Sequence, residues 1–200
     1  MVRLWLAGAA VVLLWSGIGP YDRATWWLEV FPVLLGAPVL GLTARRFPLT
    51  PLLCGLLFLH AVILMVGGHY TYARVPIGFW AQEALGLARN HYDRVGHLAQ
   101  GFVPAMLARE ILLRRTPLRP RGWLFFLVLT TCLAFSAFYE LIEWWTALLG
   151  GAAATDLLGT QGDVWDTQWD MFLAGIGALA AQLGLARLHD AQLARLPGAR

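Results

Sequence analysis

Long apolar segments recur from one end of this chain to the other, separated by short polar connections, and no stretch is left over for a water-soluble domain. One or two all-apolar helices can hide in a soluble core, but a whole chain of them needs lipid as its solvent. Composition agrees: 58% of the 200 residues are hydrophobic and 14% charged, with a mean hydropathy of +0.61, against about 25% charged in a soluble domain. Measured against a hydrocarbon core roughly 30 Å thick, the runs predict an all-α polytopic bundle of about six spans: 2–18, 27–44, 49–67, 94–113, 122–148 and 169–187. Together they form one integral membrane domain over residues 1–200. The first span reads as an uncleaved signal-anchor helix, because WSGIGPYD offers no small-x-small cleavage site. No internal repeat and no low-complexity tract is evident.

Charge orients the bundle. All 15 basic residues are Arg; with both termini placed in the cytoplasm, 11 lie inside and four (Arg23, Arg74, Arg89, Arg94) outside. Of the 12 acids, only Glu110 and Asp190 fall inside. The arginines follow membrane orientation and form no nucleic-acid-binding face, despite a net charge of +3. The expected location is therefore a bacterial inner membrane with both termini cytoplasmic. Cys54 and Cys132 fall inside apolar segments and read as buried, unpaired thiols. His60 reads as a satisfied buried imidazole, and His69 and His91 as exposed loop residues. In the 68–93 connection, Pro76 opens a segment with Ile77, Trp80, Ala81, Ala84, Leu85 and Ala88 at helical spacing, which predicts an amphipathic helix lying on the outer membrane surface. Pro32 and Pro38 should bend the second span or free backbone carbonyls within it.

Three segments place ionisable groups where a lipid-facing helix holds them only at about 2.5–3.5 kcal/mol each, so they are expected to face one another. In HYDRVGHLAQGFVP, Asp93, His97, Gln100 and Pro104 form one helical stripe. An interfacial anchor, with Asp93 paired to Arg94 or capping the helix, accounts for the same pattern. In FSAFYELIEWW, Ser136, Glu140 and Glu143 share a face, and two carboxylates so close require a proton, an Arg or a cation between them. In GTQGDVWDTQWDM, Gly159 and Gly162 predict a turn, with Gln161 and Gln168 as polar neighbours. Asp163, Asp166 and Asp170 then form a stripe if the helix already runs at Asp163; otherwise Asp163 caps it. Topology puts all three segments at the same outer depth.

Carboxylates with one imidazole suit a divalent cation: magnesium, calcium or manganese, with His97 admitting zinc. The candidate ligands are Asp163, Asp166, Asp170, His97, Glu140 and Glu143. Glu140, Asp166, Asp170 and His97 are the candidate catalytic groups, and Asp93, Arg94, Gln100, Ser136, Gln161 and Gln168 support them. HExxH, CxxC and HxxxH patterns are absent, and Ser136 has no evident His–Asp partner as a nucleophile.

With these residues in view, HYDRVGHLAQGFVPAMLARE, FSAFYELIEWW and LGTQGDVWDTQWDM resemble the YjdF family of bacterial inner-membrane proteins. More distantly, Asp93–His97, Glu140 and Asp170 before AGIGALAA look like the VanZ-like membrane family, with its D-K-x-x-H opening, intramembrane Glu and D-x-x-x-N-x-x-G ending. Here Arg94 stands in place of the Lys and Asp170 near the Asn. The first resemblance implies a membrane location and no reaction; the second implies cell-envelope or glycopeptide-response roles. Three functions follow as expectations: a membrane-embedded enzyme acting on a lipid or lipid-linked substrate, a proton- or cation-coupled transporter that so few spans would build as a homo-oligomer, and a non-catalytic envelope accessory protein.

Overall fold

A computed structural model describes residues 2–120, 122–150 and 161–196. Arg121, Gly159 and Arg200, used above for orientation and for a turn, lie outside them. All regular structure among the described residues is helical. It comprises α1 (Val2–Gly17), α2 (Arg23–Thr43), α3 (Pro51–Tyr70), a 3-10 turn (Tyr72–Arg74), α4 (Pro76–Leu85), α5 (Tyr92–Arg115), α6 (Gly122–Gly150) and α7 (Asp166–Leu193). Each expected span thus has its helix. Four of them, α2, α3, α6 and α7, are long and apolar enough to cross a membrane. The α1 helix is apolar but short, and α5 carries Asp93, Arg94, Arg109, Glu110, Arg114 and Arg115 along its length.

Local chemistry sets the helix ends. Asp22 caps α2 by accepting from the Thr25 N–H at 2.7 Å, and the Thr25 backbone and side-chain hydrogen bonds hold its carboxyl below the usual range. Thr50 caps α3 with Pro51 in the first turn. Helix α2 runs unbroken through Pro32 and Pro38. Helix α4 stops at Leu85 because Gly86 takes a left-handed cap at φ 63°, so Ala88 is not on it. Ile77, Trp80 and Leu85 point away from the protein, while Gly78 is buried beneath α4 against the Asn90 side chain.

Two cores share α3. Trp26, Val30, Val33 and Met65 join α2 to α3; Leu53, Ala105, Met106, Val128, Cys132, Ala178 and Ala181 join α3, α5, α6 and α7. The outward surface is strongly apolar, with Leu14, Leu42, Phe135, Trp144 and Leu149 exposed, while Glu29, Glu110, Glu140, Asp170 and His189 are buried. Such an inverted distribution fits a protein whose solvent is lipid.

Three histidines correct the reading from sequence. His69 is half-buried, stacked on Trp15 with centroids 4.6 Å apart and with Nδ1 3.0 Å from the Ser16 carbonyl. His91 is also half-buried; burial, then Arg94 and Arg89, lower its pKa. His60 is not satisfied, since its buried Nε2 has no hydrogen-bond partner. Both cysteines are buried and free, as expected.

Candidate functional site

The most extensive helix packing in the molecule joins α5 to α7, and glycine makes it possible. A Cβ on Gly101 would overlap the Ala174 carbonyl, and one on Gly177 would overlap the Leu98 carbonyl. At this separation the two backbones touch, and the polar groups one turn above are brought face to face.

His97 is the centre of what results. Its Nε2 lies 3.4 Å from Asp93 Oδ1 and 3.8 Å from Asp170 Oδ2, and its Nδ1 lies 2.8 Å from Gln100 Oε1 and 3.9 Å from Glu140 Oε1. Ligand atoms of Asp93, His97 and Asp170 all fall within 4.8 Å of one another, and so do those of His97, Glu140 and Glu143. Asp93 and Gln100 share a stripe of α5 with His97, and Glu140 and Asp170 come from the stripes of α6 and α7, which converge on it.

The Gln100 oxygen can only accept, so Nδ1 carries a hydrogen, while Nε2 faces two carboxylates. Asp170 Oδ1 and Glu140 Oε1 are buried without hydrogen-bond partners. Buried carboxylate oxygens left in this way are costly unless a proton or a cation joins them.

Asp163 and Asp166 are instead taken up by arginines. Arg89 Nη2 donates to Asp166 Oδ1 at 2.5 Å, Arg94 Nη2 to Asp163 Oδ2 at 2.9 Å, and Arg94 also covers the Trp169 ring at 4.9 Å. Arg94 is therefore not the partner of Asp93. Asp163 lies ahead of α7, its Oδ1 accepting from the Trp165 N–H at 3.0 Å, so the aspartate stripe begins at Asp166. Gln161 ties this loop to the Asn90 carbonyl at 2.8 Å. Gln168 is exposed, away from the cluster. Ser136 is fully buried one turn before Glu140, its Oγ without a hydrogen-bond partner among the described residues.

Sequence reasoning missed two things. Glu29 of α2 is buried, accepts from the Tyr139 hydroxyl at 3.2 Å, and interacts electrostatically with Asp93 and His97. The Tyr72 ring beside it fills a notch that Gly67 and Gly96 leave open. At the opposite end of α5, Glu110 accepts from Thr50 Oγ1 at 2.9 Å, from His189 Nε2 at 2.9 Å and from Arg114 at 2.8 Å. Arg109 donates to His189 Nδ1 at 2.8 Å and pairs with Asp190 at 2.8 Å. A lone acid in an apolar span was the available signal for Glu29. For Glu110 it was the charged run AREILLRR.

A helical bundle with apolar flanks and a buried acidic and histidine cluster is a polytopic membrane protein, and over residues 1–191 the chain matches the family described as "Predicted membrane protein (DUF2238)"; it belongs to that family. It is 58% identical over 185 residues, 92% of this chain and 88% of the relative, to the inner membrane protein YjdF of Escherichia coli (strain K12). The YjdF resemblance read from the three motifs is thereby borne out. No solved structure matches.

Proposed function

We propose that this chain is a divalent-cation centre embedded in the inner membrane, serving a reaction on a lipid or lipid-linked envelope substrate at the outer leaflet. One observation carries the reading: His97 gives Nδ1–H to Gln100 and presents Nε2 to Asp93 and Asp170. Metal-bound imidazoles are held in this manner, with the distal N–H fixed by a neighbouring acceptor. Asp93, His97 and Asp170 would hold the cation, with Glu140 and Glu143 on the other side of the ring as further ligand or base. Two or three carboxylates and one nitrogen suit manganese or zinc. Such a cation would supply an activated water or polarise a phosphoryl or carbonyl oxygen.

The finer topology belongs to the same proposal. Six crossings with both termini cytoplasmic would place His97 at the periplasmic face. Arg45, Arg46, Arg114, Arg115 and Arg119 in the opposite connections support that orientation.

Metal analysis of protein purified from membranes tests the reading. Roughly one manganese or zinc ion per chain is expected in the wild type, lost in Asp170→Asn and His97→Gln. Wild-type protein that is metal-free and gains none on titration sinks it. Coupled transport is the second reading, favoured by Glu140 and Glu143 crowding one side of His97. The same protein separates the two, because proton coupling needs no bound metal and depends on Glu143→Gln.

A further inference from the structure

A cavity of about 530 Å³ runs between α1, α2, α3 and the half of α5 away from His97, walled mainly by apolar side chains such as Val33, Leu40, Phe58, Leu64, Leu107 and Ile111. Along α5 it extends from Pro104 to Arg115, about 16 Å at the helical rise. Its volume is that of a small-molecule site, and its shape is a long apolar slot.

Arg115 is the one charged residue lining it among the described residues. The neighbouring arginines of α5 are already engaged, Arg109 with Asp190 and Arg114 with Glu110, each at 2.8 Å. Arg115 instead lies over the Phe47 ring, 4.8 Å from its centroid, and has no carboxylate partner among the described residues. Arg45 and Arg46 are exposed in the turn just before Phe47. The slot therefore has an apolar body and one positive end to which no carboxylate among the described residues is paired.

We infer that this slot binds one anionic phospholipid, one of its two acyl chains lying along α2 and α5 and its phosphate at Arg115. The complementarity is that of basic pockets between membrane helices for lipid head groups. The site lies at the opposite end of α5 from His97 and does not depend on the cation centre.

The test compares phosphatidylglycerol and phosphatidylethanolamine retained by detergent-purified protein, measured by mass spectrometry, with inorganic phosphate as a third ligand in thermal-shift assays. Phosphatidylglycerol should be retained preferentially. Arg115→Gln should weaken it roughly fivefold, the effect of one arginine near a charged surface. Gly36→Phe should block the acyl chain with Arg115 intact; a Cβ at Gly36 meets nothing within 4 Å, so the fold has room for it. Equal retention of the two lipids, retention unchanged in Gly36→Phe, or stabilisation by inorganic phosphate as large as by the lipid would each overturn the proposal. If Arg115→Gln fails to fold, Gly36→Phe decides alone.

Discussion

Two imidazoles near opposite ends of the α5 and α7 pair are held in opposite ways. An arginine can only donate, so the Arg109 contact makes His189 Nδ1 an acceptor and leaves its proton on Nε2, where Glu110 accepts it. His189 is thus a neutral bridge whose two nitrogens are both committed. His97 has a hydrogen on Nδ1 and its other nitrogen among carboxylates that can exchange a proton or share a cation with it, a freedom His189 lacks. Glu110 is the keystone of the first arrangement, and Glu110→Ala would strip partners from Thr50, His189 and Arg114 at once. Removing one side of a buried pair costs about 3–5 kcal/mol, so thermal unfolding in detergent should show a large loss for Glu110→Ala. A variant as stable as the wild type would mean that the network contributes nothing to the fold.

At the scale of elements, glycine sets the distance on which the site depends. Gly177→Val should force α7 away from Leu98 and Phe102 of α5, destabilising by about 1–3 kcal/mol as overpacking does, and should loosen cation binding through Asp170 as well. Gly184 of the same helix faces open space, so Gly184→Ala is the matched control; equal behaviour of the two variants in unfolding and metal retention would refute a special role for the crossing. The legibility of the site follows the same divide between local and distant order. Asp93, His97 and Gln100 could be read from sequence because spacings of four and three align side chains on any helix. The Glu110–His189 bond could not, since its partners are 79 residues apart and nothing local marks them. His189 and Asp190 were further hidden by ending the last span at 187, whereas α7 continues to Leu193. The pairing of Asp163 and Asp166 with Arg94 and Arg89 was equally invisible, because arginines in a connection read as topology signals before they read as partners.

For the whole molecule, the all-helical membrane character was plain in the apolar runs, although four helices rather than six are long and apolar enough to cross, and the proposed orientation rests on arginine asymmetry. A membrane-impermeant thiol reagent should label Glu83→Cys on the outer face of intact spheroplasts, and Arg119→Cys only after disruption, since native Cys54 and Cys132 are buried. The reverse pattern inverts the bundle, and labelling of both sites before disruption removes a crossing. The pairing of α5 with α7 is fastened at three heights: His97 with Asp170, Gly101 against Ala174, and Glu110 with His189. A slide of one helical turn, about 5.4 Å, would break all three at once, so the pair has a single register and acts as a spine without axial play. Whatever motion admits a molecule to the buried carboxylates has to be made by the helices packed around that spine.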